Sequence, residues 1–170
     1  MITAILEEAR MRSTAAELQP QPTDMADLLK SVVEEFQNQP PGVVCGPLKP
    51  ATLVVDGDKM RTGVRNLIDN AVKHTPADGA PVMVSLVPDE THVAIVVEDR
   101  GIGIAAEALP HLFGPFYRAD TSRSRKTGGF GLGLSICKAI IDAHHGQIHI
   151  HSEPGRGTRG TVTLPLIARP

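Results

Sequence analysis

Three side chains spaced for joint chemistry stand in the run Arg65-Asn66-Leu67-Ile68-Asp69-Asn70-Ala71-Val72-Lys73-His74-Thr75. At about 100° per residue, Asn66, Asn70 and Lys73 fall within roughly 60° of one another on a helix, while Val64, Leu67, Ile68, Ala71 and Val72 cover the opposite side. Asn is unfavourable mid-helix because its amide competes for backbone hydrogen bonds, so two of them one turn apart call for an explanation. A solvated face is one. The other is chemical: amide oxygens ligate a hard divalent cation, and an ammonium one turn on neutralises phosphate oxygens.

A second group follows the apolar run that ends at Asp99, in Asp99-Arg-Gly101-Ile-Gly103-Ile104. A carboxylate there can accept hydrogen bonds from a purine's exocyclic amine, and glycines without a Cβ let the main chain approach the ring; a ligand-free Asp-Gly turn also fits. Gly101-Ile-Gly103-Ile-Ala-Ala106 matches a dinucleotide fingerprint as well, with Asp120 about twenty residues on. That reading needs a second strand ending at the acid, and Phe113-Gly-Pro-Phe-Tyr-Arg-Ala-Asp is not one. A third group, Gly129-Phe-Gly131-Leu132-Gly133-Leu134, leads into a helical stripe whose free N–H groups would favour phosphate, or else serves as a flexible hinge. It lacks the G-K-[ST] of a P-loop, and no H-R-D or D-F-G of protein kinases appears.

Arg118, Arg123, Arg125 and Lys126 make the loop before those glycines basic, either simply solvated or able to fold over anionic phosphates. His144, His145, His149 and His151 have no acidic or thiol partner spaced with them, which speaks against a metal cluster. His74, at the end of the Asn helix, fits a partner for the helix dipole better than a base. Cys137 faces an apolar stripe and reads as a small buried hydrophobe.

The elements that must position these groups fit a globular domain: 170 residues, 41% apolar and 21% charged, are enough for one sizeable core. A net charge of −2 gives no general attraction to nucleic acid or anionic membrane. Cys45 and Cys137 set no disulfide framework and fit a reducing compartment, and no run approaches the roughly 18 apolar residues of a membrane span. Of five aromatics, four (Phe113, Phe116, Tyr117 and Phe130) crowd into one loop, which implies a packing job for that loop. Residues 2 to 16 read as a helix end, broken by Leu18-Gln-Pro-Gln-Pro22. A helix capped by Thr23 or Asp24 carries Met25, Leu28, Leu29, Val32, Val33 and Phe36; short strands follow at 43–45 and 52–55, and the Asn helix at 59–74. Strands at 82–87 and 93–98 pair across Pro88-Asp-Glu-Thr91, and strands at 147–152 and 160–166 flank Glu153-Pro-Gly-Arg-Gly157 around a helix ending near Ala143. Helices alternating with antiparallel pairs imply an α+β domain: one mixed sheet with helices on one face.

Each motif is weak singly, but their order is informative. N-L-I-D-N-A-V-K-H at 66–74, D-R-G-I-G-I at 99–104, F-G-P-F at 113–116, G-F-G-L-G-L at 129–134 and G-R-G-T-R-G-T at 155–161 resemble the N, G1, F and G2 boxes and final glycine motif of sensor histidine kinase catalytic domains. The resemblance covers about Asp24 to Leu166 and implies the two-layer α/β sandwich, mostly antiparallel, shared with gyrase, Hsp90 and MutL ATPases (the Bergerat-type fold). It implies ATP and Mg²⁺ as ligands. Asn70 then resembles the Mg²⁺ ligand, Asn66 a phosphate or metal-shell contact, and Lys73 a phosphate contact, with His74 beside them. Asp99 resembles the adenine-reading acid, supported by Gly101, Gly103 and Ile104. Gly129, Gly131, Leu132, Gly133 and Leu134 resemble the phosphate-facing lid hinge. Phe113 and Phe116 would anchor the lid, Arg118 would reach the nucleotide, and Thr161 or Thr163 would close the adenine pocket.

In that family the phosphoryl acceptor is a histidine on a separate dimerisation helix, and no histidine here precedes His74. Residues 1–22 thus resemble the tail of that helix and its connector, and 23–170 the catalytic ATP-binding domain. The implied partners are a dimerisation domain of a homodimeric parent and a response regulator, with no nucleic acid. The parent is expected in a bacterial membrane, with this domain on the cytoplasmic side. Alternatives are a serine kinase or ATPase of the same fold, or a nucleotide-sensing module without catalysis. The hydrolysing branch carries a carboxylate at the start of the N box, where this chain has Arg65-Asn66.

Overall fold

The computed structural model describes residues 17–114 and 133–166, together with Ile2, Ile5, Leu6 and Ala9. Those four N-terminal residues are helical, as their spacing predicts, and exposed. Along the described chain run β1 (Gln21–Asp24), α1 (Met25–Glu34), β2 (Val43–Leu48), β3 (Thr52–Val55), α2 (Gly57–Lys73), β4 (Val82–Pro88) and β5 (His92–Asp99). A short 3-10 turn (Leu109–His111), α3 (Gly133–Ala143), β6 (Gln147–Glu153) and β7 (Gly157–Pro165) follow.

Five strands form one sheet in the order β2-β4-β5-β7-β6, parallel between β2 and β4 and antiparallel elsewhere; β1 and β3 make a separate antiparallel pair. The three helices bury their stripes against one face of the larger sheet. Met25, Leu29 and Val32 of α1, Met60, Val64 and Ile68 of α2, and Cys137 and Ile141 of α3 share a core with Val84, Leu86, Ile95, Val97, Val162 and Leu164. This is the α+β two-layer arrangement expected, and each such large aliphatic group contributes roughly 1.5–3 kcal/mol by leaving water.

Local chemistry sets the helix ends. The Asp24 carboxylate accepts the N–H of Asp27 at 3.0 Å and starts α1, and Asp56 accepts the N–H of Lys59 at 3.1 Å and starts α2, two residues earlier than the periodicity predicts. Arg65 of α2 holds Glu35, just past α1, through two bonds of 2.6 and 2.9 Å, fixing the two helices side by side. α3 ends in a Schellman turn, with Gly146 N–H on the Ile141 carbonyl and His145 N–H on that of Asp142. His145 occupies the left-handed position of that turn, at φ 60°, where glycine is usual.

Two differences from expectation have simple causes. β1 lies where Pro20 and Pro22 predict only a break; as an edge strand paired with β3 alone, it tolerates residues that lack an N–H. β7 begins at Gly157 and not at Gly160, extending its pairing with β5 down to Asp99 opposite Thr158. Most of residues 1–16 and all of 115–132 lie outside the described residues. Of the expected site residues, Phe116, Arg118, Gly129, Gly131 and Leu132 lie there.

Candidate functional site

α2 carries its apolar stripe into the core, which turns Asn66 and Asn70 toward the sheet's end, where both are half-buried. β5 ends at the same place with Asp99, whose alternation with Ile95 and Val97 points it at the helices. Asn70 and Asp99 therefore line one cavity, with Leu67, Ala71, Val97, Ile104, Leu134, Ile150, Thr158 and Gly160. It measures about 10 Å³, room for about one water, so the walls must part before anything larger enters. A wider hollow of about 180 Å³ lies between α2 and α3 at Asp58, Lys59, Thr62, Ile136 and Ile140, and holds none of the residues singled out in the sequence.

Asp99 is buried, and one of its oxygens accepts the Gly101 N–H at 2.9 Å. Burial pushes its carboxyl above the ordinary carboxylate value, against the downward pull of the Gly101 and Thr158 N–H groups and of His74. The two glycines after it also answer a packing need within the chain. A Cβ on Gly101 would collide with the His74 carbonyl, and one on Gly103, at φ +72°, with the Glu153 carbonyl. The Ile102 N–H donates to the His74 carbonyl at 3.1 Å, and Gly155 N–H donates to that of Ile102 at 2.8 Å. The glycines thus let the loop thread between the end of the Asn helix and the β6–β7 turn, which fixes Asp99 against Asn70.

The other predicted residues divide. Gly133 opens α3 beside Asn66, and Leu134 from the same turn is buried in the cavity wall. His74 caps α2, with its Nδ1 2.7 Å from the Asn70 carbonyl, the dipole-partner role its position predicts. Lys73 is exposed beyond the cavity and pairs with Asp69 at 2.8 Å. Phe113 packs partly buried against the core.

Thr161 needs correcting. β7 buries Gly160, Val162 and Leu164, so Thr161 and Thr163 point to the opposite face of the sheet, where Thr161 sits between Val96 and His149. The threonine at the cavity is Thr158, directly across from Asp99. Pattern alone placed β7's start late and so missed Thr158; Val97 was findable, being two residues before Asp99 on one strand face. Gly160 lies where a Cβ would stand 3.1 Å from Leu67 and 3.3 Å from Ile150, which no local signal announces.

The four histidines of the C-terminal third lie in different surroundings. His144 is buried, His145 sits in the Schellman turn, and His149 and His151 are exposed on β6. Cys137 is fully buried, and burial pushes its thiol up to about 12, which leaves it an inert hydrophobe. Among the described residues no helix is long and apolar enough to cross a membrane.

Residues 55–168 match the family described as histidine kinase-, DNA gyrase B-, and HSP90-like ATPase. The adaptive-response sensory kinase SasA of Synechococcus sp. is 36% identical over 171 residues, which take in 98% of this chain and 45% of that protein. Sensor-like histidine kinase SenX3 of Mycobacterium bovis is 42% identical over 120 residues, 69% of this chain and 29% of that one. The chain spans less than half the length of these curated relatives. Among solved structures, full-length ShkA in complex with AMPPNP superposes with a TM-score of 0.82 at 26% identity, covering 99% of this chain and 35% of that one. Mycobacterial sensor histidine kinase MprB gives 0.75 at 26% identity, covering 89% and 100%. The matched span takes in the Asn helix, Asp99 and the α3 glycine turn alike, and the chain belongs to the histidine kinase-, DNA gyrase B- and HSP90-like ATPase family.

Proposed function

We propose that this chain is the ATP-binding catalytic part of a sensor histidine kinase, passing the γ-phosphate of ATP to a histidine on a dimerisation domain for relay to a response regulator. The observation that carries this reading is the shared cavity of Asn70 and Asp99, which joins an amide suited to a metal with an acid suited to a purine. In this reading Asp99, held by Gly101 and Thr158, accepts from the adenine's exocyclic amine. Leu134, Ile104 and Val97 exclude water around the ring. Asn66, Lys73 and the first N–H groups of α3 at Gly133 orient the phosphates.

The residues present fit Mg²⁺: Asn70 offers a neutral oxygen at the cavity wall, and phosphate oxygens and water would complete the shell. When bound, the ion would neutralise charge that develops on the transferred phosphoryl group. Residues 1–22 would act as the tail and connector of the dimerisation helix and 23–170 as the catalytic domain. Arg118, Gly129, Gly131 and Leu132 would belong to the lid. The parent would sit in a bacterial membrane, with this domain in the cytoplasm. The absence of a carboxylate at Asn66 and the engagement of Arg65 with Glu35 favour transfer over hydrolysis.

Titration of the chain with ADP, with and without Mg²⁺, tests the pocket. Binding that tightens with Mg²⁺ in the wild type, and loses that gain in Asn70→Ala with the fold intact, is the expected result. Steady ATP hydrolysis by the chain alone, or phosphorylation of an added dimerisation domain that Asn70→Ala leaves unchanged, would overturn the reading.

A further inference from the structure

His144 is buried, touches no part of the nucleotide cavity, and has both ring nitrogens engaged. Nδ1 lies 2.7 Å from the Ile140 carbonyl, which can only accept, so Nδ1 carries the proton. Nε2 lies 3.0 Å from the backbone nitrogen of Asp56, which can only donate, so Nε2 offers its lone pair. The two peptide groups fix one neutral tautomer.

Asp56 is engaged on every side as well. Its Oδ1 accepts the Lys59 N–H at 3.1 Å, and its Oδ2 accepts the Gln19 N–H at 3.0 Å. Lys59 Nζ reaches back to the Glu17 carbonyl at 2.6 Å. Three distant stretches therefore meet at one knot: the segment before β1, the start of α2 and the end of α3.

From this knot α2 and α3 run antiparallel, with Ile140 packed on the bare backbone of Gly63. About 15 Å along α2 stands Asn66, with Asn70 one turn further at about 21 Å, and about 15–17 Å back along α3 stand Leu134 and Gly133. Asn70 and Leu134 face the same small cavity, so a slide of one helix past the other by about 1–2 Å, a common step at helix interfaces, would change its width.

We propose that His144 and Asp56 are positioning residues: through the Gln19 N–H they tie the placement of the connector to the register of α2 against α3, and so to the width of the nucleotide cleft. This rests on the nucleotide reading above. Coupling of this kind is reciprocal. A nucleotide that bridges the two helices must tighten the hold on Gln19, and loosening Gln19 must weaken nucleotide binding by the same factor.

The test is amide hydrogen exchange at Gln19 in the full chain, with and without saturating ADP and Mg²⁺, in wild type and His144→Leu. In the wild type, exchange slows by about fivefold or more, the low end of typical coupling between sites. In His144→Leu the nucleotide still binds but leaves Gln19 unchanged. Gln19→Pro deletes the donor without touching the core and covers the case in which His144→Leu does not fold. It raises the ADP dissociation constant by about the same factor while melting close to wild type, which a purely structural bond would not do. If ADP does not bind the wild type, the nucleotide reading falls and this proposal with it. If ADP binds but Gln19 exchange is unchanged, if the response survives in His144→Leu, or if Gln19→Pro leaves the dissociation constant unmoved, the latch is refuted and the nucleotide reading stands.

Discussion

The backbone of Gly101 lies directly against the carbonyl of His74, so the loop that carries Asp99 is seated on the end of the helix that carries Asn70. No side chain intervenes, and none fits. Gly101→Ala must push the loop off the helix. We expect a loss of about 2–3 kcal/mol, typical of overpacking against a rigid neighbour, together with a large loss of ADP affinity. Urea unfolding with an unchanged m-value, paired with an ADP titration, checks it; wild-type stability would mean that the loop is not seated there.

Asp99→Asn separates binding from folding. Burial raises the Asp99 carboxyl's pKa, so the folded chain holds that proton more tightly than the unfolded chain does. The stability this supplies is present below about pH 4 and is lost as pH rises through the raised value. The neutral amide skips that loss, so the variant is at least as stable as wild type at pH 7, with a flatter profile in that window. ADP affinity nevertheless falls about 10–100-fold, because a charged acceptor has been removed from a buried site. Melting curves from pH 3 to 7, with titrations at pH 7, read both effects.

Asp56 has the opposite sign. Burial pushes its carboxyl up, but the N–H groups of Gln19 and Lys59, with the nearby charge of Lys59, outweigh it and hold the group below its ordinary value. Its contribution to stability is present above about pH 4 and disappears as pH falls through the lowered value. Asp56→Asn keeps a competent helix cap but loses the charge. The variant should be less stable than wild type at pH 7, and the gap should close in acid; a gap that is constant with pH would assign the effect to packing alone.

Gly63→Ala tests the contact between the two site helices. A methyl group there would meet Ile140 at 3.6 Å, ordinary van der Waals contact, in the middle of α2. Replacing a mid-helix glycine should then stabilise by about 0.5–1 kcal/mol. A rise in Tm of a few degrees is the expected reading, and a fall would show that α2 and α3 pack more tightly than described.

Elements with strong local signals were legible from sequence. The stripe from Met25 to Phe36, the hairpin of β4 and β5 and the Asn66–Lys73 face each follow one periodicity, because a single element buries one side. What sequence could not reveal depends on neighbours distant along the chain. β1 forms through Pro22 only because β3 lies beside it. Thr158 reaches Asp99 only through the register of β7 on β5. His144 looked like one of four scattered histidines, and its partner Asp56 lies 88 positions away. At Gly101 and Gly103 the carbonyls that exclude a side chain belong to His74 and Glu153, in other segments.

The near-closure of the Asn70–Asp99 cavity has a kinetic side. A cavity of about 10 Å³ must widen to hold a purine, so nucleotide should associate well below the diffusional rate, with much of the affinity expressed as slow departure.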